Sequence, residues 1–247
     1  KLGVKYILIE SVQRRSLERF AINDMNINIS NIDKLKNQIL NNQKNDNLIQ
    51  SHSNEQFEIN WIDVFNSIFS KSNNNDVSVI NNLNLNAFIY NAKFKIKGHG
   101  KMAPHVYREL LNKDFFSTEV SRDLLFYDED LKYLKYESEE NIKLLNNNFN
   151  LLAKALGEKN IKLIFMPAVD KYNLYSPYII SNTYQKSIFF EYLDSLPKDY
   201  IFINTKKILS EQLEKGEKDI FYADDTHWSH KASEVIIKDE SFKIIFN

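Results

Sequence analysis

Residues 139–167 read EENIKLLNNNFNLLAKALGEKNIKLIFMP, and the change of period inside this stretch decides the fold. Over 139–156 the apolar residues Ile142, Leu145, Phe149, Leu152 and Leu156 recur three and four apart, so they fall on one face of a helix. Gly157 suits the end of that helix. Ile161-Lys162-Leu163-Ile164-Phe165-Met166 then has the length and composition of a buried strand, closed by Pro167. The alternation continues to the C-terminus. A helix is predicted over 184–195, a strand over 200–203, a helix over 205–215 stopped by Gly216, a loop over 217–228, and a last helix from about residue 229. Near the start, Val4-Lys5-Tyr6-Ile7-Leu8-Ile9 is a further strand. Strands alternating with helices need right-handed crossovers, which predicts an α/β fold with a mainly parallel sheet covered on both faces. Residues 1–20 and 136–247 would form it, with 21–135 as an insertion or cap.

The insertion has a different texture. Asparagine clusters at Asn41-Asn42, Asn73-Asn74-Asn75 and Asn81-Asn82. Asn favours turns and caps over helix interiors, so 72–76 reads as an exposed loop and 43–56 as a mobile stretch. Two amphipathic helices are predicted, near 31–41 and 60–70. The stripe Trp61, Val64, Phe65, Ile68 and Phe69 reads as core.

Composition narrows the classes. Lys plus Arg is 32 against 33 Asp plus Glu, a net charge of -1, which lacks the basic excess of a nucleic-acid binder. There is no cysteine, so disulfides, thiolate-held zinc, iron–sulfur clusters and a thiol nucleophile are excluded. No apolar run reaches the ~18 residues that span a bilayer, and no signal peptide is visible. The chain opens at Lys1 rather than Met, which reads as a fragment or processed product.

In open parallel sheets, sites form at the carboxyl ends of the strands. Those ends lead into 10–19, 167–177, 204–206 and the loop 222–230. The last is the most informative: Tyr222-Ala223-Asp224-Asp225-Thr226-His227-Trp228-Ser229-His230. A general base needs its ring tautomer fixed, and a neighbouring carboxylate does so. Asp225 has the spacing to serve His227, Asp224 offers the alternative, and Ser229 suits the N-cap of the last helix. The bland reading is a surface loop with a solvated histidine. A zinc site from His227, His230 and Asp224 ranks low, since the histidines lack the four-residue helical spacing of a metal pair. His52, His99 and His105 make no metal spacing and read as solvated.

Asp225-Thr226-His227-Trp228-Ser229, followed by Ala232, resembles the D-x-H-W motif of the alginate O-acetyltransferase branch of the SGNH (GDSL-like) hydrolases. Tyr6-Ile7-Leu8-Ile9-Glu10, then Gln13-Arg14 and Leu17, resembles the strand–Glu–x–x–Glu–Arg–x–x–Leu segment of that branch, with Gln13 where Glu is usual. Phe165 to Tyr175 resembles its strand–Pro–x–x–Lys–x–x–x–Tyr segment. The segments cover the first 20 residues and most of 137–237, and 21–135 is matched poorly. The resemblance implies a flavodoxin-like three-layer α/β/α sandwich. It implies a Ser–His–Asp triad that moves an acetyl group onto an exported or cell-surface polysaccharide, in the cell envelope or outside the cytoplasm. No dissociable cofactor or metal is implied, and the acyl donor would come from a membrane acyltransferase. By position His227 would be the base, Asp225 its orienting acid and Trp228 a wall of the site; Lys171, Tyr175 and Arg14 could line or brace the groove, Arg14 through Glu10 or Asp225. The structural alternatives are that Lys171 pairs with a carboxylate, that Tyr175 packs, and that Arg14 is a plain ion pair.

The nucleophile departs from this pattern. The Gly-Asp-Ser turn of the family would precede the segment matched to 4–17, so it is expected upstream of this chain. The rival within the chain is Ser11, which follows an apolar strand and an acid but lacks the glycine of a tight elbow. Ser176, before Pro177, reads as a turn residue. Besides acyl transfer, the sequence leaves open a non-catalytic carbohydrate-binding or scaffold relative and a simple carbohydrate acetylesterase.

Overall fold

The structure, a computed structural model, describes residues 4–23, 82–97, 99–181 and 183–243. Elements are numbered among these residues. Three strands, β1 (Tyr6–Val12), β5 (Lys162–Ala168) and β6 (Ile201–Phe202), form a parallel sheet in the order β1-β5-β6. Its register pairs Ile9 with Phe165, Val12 with Ala168, and Phe165 with Phe202. In β5, Leu163, Ile164, Phe165 and Met166 are all buried; successive side chains point to opposite faces, so both faces of the central strand are covered. The strand runs on through Pro167. β6 pairs only with Ile164 and Phe165, so no β6 ladder bond calls on the proline N–H. Beyond β6 the Thr205 hydroxyl takes over, donating to the Pro167 carbonyl (2.6 Å) and accepting from the Val169 N–H (3.1 Å).

The helices fall where the periodicity puts them. After α1 (Gln13–Phe20), helix α4 (Glu139–Gly157) is capped by Ser138, whose hydroxyl accepts from Asn141 N–H, and Glu139 and Glu140 sit favourably in its first turn. Ile142, Leu145, Phe149 and Leu156 are buried, with Leu152 packed beside them. Phe149 lies 4.2 Å from Phe165 between ring centroids, which fixes α4 on the sheet. The left-handed turn after α4 is made by Asn160 (φ 57°), not by Gly157. Helix α7 (Thr205–Glu214) is capped by Asn204 and followed by Gly216 at φ 85°. Helix α8 (His230–Lys238) is capped by Ser229 and followed by the short α9 (Glu240–Lys243). The helix expected over 184–195 is shorter, α6 (Phe189–Ser195), because the Gln185 carbonyl accepts from the Tyr172 hydroxyl (2.9 Å) and the Ser187 hydroxyl donates to Glu137 (2.7 Å).

The expected helical insertion differs more. Helix α2 (Asn82–Lys97) leads into an antiparallel meander, β2 (Gly100–Ala103), β3 (Val106–Leu110) and β4 (Asp123–Tyr127), followed by short helix α3 (Glu129–Lys132). Leu124 and Phe126 of β4 alternate with less buried neighbours and join the same buried cluster as Phe149 and Phe165. All described residues belong to one unit spanning Lys1–Met25 and Asn82–Asn247, so 82–135 packs with the α/β sheet rather than apart from it. The helices expected near 31–41 and 60–70, the loop 72–76, the mobile stretch 43–56 and His52 lie outside the described residues.

Candidate functional site

The site sits where β1 and β5 end. Val12 and Ala168, their last residues, line a cavity of about 140 Å³ with Glu10, Arg14, Asp170, Thr226, His227 and Trp228. The loop reaches it because its base is closed. Phe221 and Trp228 form an antiparallel bridge, Tyr222 N–H donates to the His227 carbonyl (3.2 Å), and the Ser229 hydroxyl donates to the Asp219 carbonyl (2.5 Å).

Within the loop one atom, Asp225 Oδ1, accepts from Thr226 N–H (2.5 Å), His227 N–H (3.2 Å) and His227 Nδ1 (2.7 Å). The carboxylate therefore shapes the turn and orients the ring together. Because it can only accept when ionised, it assigns the hydrogen to Nδ1 and leaves Nε2 as the free base. Partial burial alone would raise the Asp225 carboxyl; the bonds from the His227 ring and the two N–H groups outweigh it and hold the group below the usual carboxylate range. The His227 side chain is 79% exposed, so its outer nitrogen is open to a reacting group.

Lys171 holds the loop from behind. It lies in short helix α5 (Lys171–Tyr175) and is 1% exposed. Its ammonium donates to the carbonyls of Tyr222 (2.6 Å), Ala223 (3.0 Å) and Asp225 (2.9 Å), and lies 5.2 Å from the centre of the Phe116 ring. Burial pushes its pKa down to about 8, against the pull of Asp224, Asp225 and Asp130. Lys171 thus neither lines a groove nor pairs directly with a carboxylate, since the strand-to-helix turn carries it under the loop. Tyr175 does not line a groove either: it is fully buried, packed against Phe115, Phe116 and Phe221.

Arg14 faces the cavity but braces different partners from those expected. Its guanidinium donates to Asp170 (2.6 Å) and Asp130 (3.3 Å), and its backbone N–H donates to Asp170 (2.9 Å). Glu10 and Asp225 take no part. Ser11 is 3% exposed and absent from the cavity wall, which Glu10 and Val12 line. Strand alternation turns it to the other face, where its hydroxyl donates to the Val12 carbonyl (3.3 Å) and Arg19 approaches at 3.5 Å. It is therefore not placed to attack a substrate next to His227. His230, exposed at the head of α8, and Asp224 face a second cavity. Among the described residues no three His, Asp or Glu side chains are grouped to hold a metal ion.

A buried polar network behind the cavity is invisible in the sequence pattern. Gln13 Nε2 donates to Glu137 (3.0 Å) and Ser187 (2.9 Å), while its Oε1 accepts from Asp170 N–H (3.2 Å) and Asn173 (2.9 Å). This accounts for the amide at position 13: a glutamate there would face Glu137 with nothing to donate. Burial raises the Asp170 carboxyl well above the ordinary range, with the neighbouring Asp130 adding to it. Burial likewise raises Asp130, to about 6, with Arg14 opposing. An acid raised in the folded state binds more protons there than when unfolded, so Asp130 makes the protein less stable as pH rises from about 4 to about 6, and Asp170 acts in the same direction. Asp130→Asn is expected to flatten that slope, a change on the order of 1–3 kcal/mol between pH 4 and 7. Thermal melts of both proteins across that range check it; parallel pH profiles would contradict the assignment.

With the geometry in place, residues 121–238 match the family model of the SGNH hydrolase-like domain of acetyltransferase AlgX. Residues 121–238 are similar to that domain, in keeping with the α/β fold. The match spans just under half the chain, from the start of β4 through α8, and contains Lys171, Asp225, His227 and Trp228. It includes β4 and α3, which the sequence had placed in the insertion. No curated protein and no solved structure matches the chain. Among the described residues, no helix is long and apolar enough to cross a membrane.

Proposed function

We propose that the 222–229 loop is the base half of an acyl-transfer site that moves an acyl group, most simply acetyl, onto a glycan hydroxyl. The observation that carries this is the Asp225–His227 contact of 2.7 Å, with the outer ring nitrogen open at the carboxyl ends of two parallel strands. The AlgX-type acetyltransferase match supports the same chemistry. His227 Nε2 takes the proton of a serine hydroxyl as that oxygen attacks the acyl carbonyl, and returns it to the departing donor oxygen. It then takes the proton of the acceptor hydroxyl as that oxygen attacks the acyl-enzyme carbonyl, and returns it to the departing serine oxygen. Asp225 stabilises the imidazolium in both halves. Trp228 borders the reacting groups, and Arg14 is held at the cavity by Asp170. These steps need only side chains, without a dissociable cofactor. The serine belongs to a segment other than β1, the acyl donor is delivered by a membrane acyltransferase, and the reaction takes place in the cell envelope.

The cavity wall around His227 contains no serine among the described residues, and this favours the second reading, a glycan-binding relative without turnover. Labelling the full-length natural protein with a fluorophosphonate probe, followed by peptide mass spectrometry, separates the two. Acyl transfer predicts an adduct on one serine other than Ser11 that disappears in His227→Ala. No adduct, or one on Ser11, overturns the proposal, and no adduct favours the binding relative.

A further inference from the structure

The loop that carries Asp225 and His227 has a second cavity against it, about 630 Å³ in volume. Tyr222, Ala223 and Asp224 form one wall; Met102, Val120 and Leu125 of the meander segment form the other. That volume is within the range of small-molecule sites, and the wall is mainly apolar. Met102 and Val120 are exposed, and Tyr222 is 46% exposed, so their surfaces are available to a ligand. The cations at the rim are already engaged. Arg108 pairs with Asp123 and lies 4.0 Å from the centre of the Phe94 ring. Lys231 donates to the Lys218 carbonyl (2.9 Å) and lies 3.7 Å from Asp219. Asp224 makes no hydrogen bond or close ion pair among the described residues; the cation acting on it is the buried Lys171 ammonium, which sits under the loop rather than in this lining, so an exposed carboxylate faces the space.

Resting on the acyl-transfer reading, we infer that this cavity seats the acceptor, and that the acceptor is an uncharged oligosaccharide rather than a polyuronate. A pyranose ring offers a C–H face for Tyr222 and the apolar wall, and hydroxyls for Asp224 and His230. A uronate would bring a carboxylate against Asp224, where the described arginine and lysine of the lining, Arg108 and Lys231, are already engaged, and like charges in such a site reject a ligand. Met102 and Val120 lie outside the matched segment, so part of the acceptor wall is built by residues that the match does not cover.

The test is a glycan array printed with neutral and uronic-acid oligosaccharides, probed with the full-length natural protein. The wild-type protein should bind neutral oligosaccharides and not uronates. Tyr222→Ala and Val120→Trp, the latter filling the space from an exposed position, should weaken that binding at least tenfold with unchanged circular dichroism. Asp224→Lys should gain uronates. Binding confined to uronates, no binding to any neutral oligosaccharide, or unaffected binding in both cavity variants overturns the inference. Neutral-glycan binding by a protein that never labels with the serine probe keeps the acceptor assignment and removes the acyl-transfer reading.

Discussion

Replacing His227 by alanine in the full-length protein should lower acyl turnover by roughly 10²–10⁴-fold, the usual contribution of a positioned general base. Stability should change by no more than about 0.5 kcal/mol, since a side chain 79% exposed leaves no cavity behind. Both halves of the expectation are needed. A fold-wide effect would come from disturbing Asp225, because that carboxylate also holds the N–H groups of Thr226 and His227. His227→Ala spares those bonds, since its own backbone N–H remains. Asp225→Ala is therefore expected to lose turnover and loop order together, whereas His227→Ala loses turnover alone. Acetyl release from a chromogenic ester, measured beside thermal melts, separates them. Turnover retained in His227→Ala would remove this histidine from the mechanism.

Lys171→Met should have the second large effect, on the loop rather than on the chemistry. Methionine fills similar space but donates nothing, so the carbonyls of Tyr222, Ala223 and Asp225 lose their common donor. The buried ammonium itself opposes folding. Its pKa falls to about 8 on burial from an ordinary 10.5, so the unfolded chain binds more protons between those values and stability rises with pH across that window. Removing it at neutral pH relieves that penalty while orphaning the three acceptors. The net loss is about 2 kcal/mol, or roughly 4–8 °C in melting temperature. Hydrogen exchange should quicken at amides 222–228, and turnover should fall with it. Unchanged exchange in that loop would mean that the Phe221–Trp228 bridge and the Ser229 bonds hold it without Lys171.

The α/β sheet was legible because its signals are local. The spacing of Ile142, Leu145 and Phe149, the apolar run in β5, and Ser229 before α8 each state a structure within one element. The Asp225–His227 pair was legible for the same reason, being two residues apart. What was not legible depends on parity or on distant partners. Ser11 follows a strand and an acid as a nucleophile would, but one step along a strand turns a side chain to the other face. Lys171 reads as a groove residue or a carboxylate's partner until three carbonyls some fifty residues later close over it. The meander hides a fully buried Glu109 in β3, tolerated because Tyr184 and Ser181 donate to it from beyond α5. A charged residue in so short a segment conceals the strand.

The use of a single oxygen, Asp225 Oδ1, for both the turn and the imidazole has a consequence for timing. The ring is aligned by the same contacts that form the loop. Its rotational freedom is thus surrendered once, as the chain folds, and need not be surrendered again each time a substrate arrives.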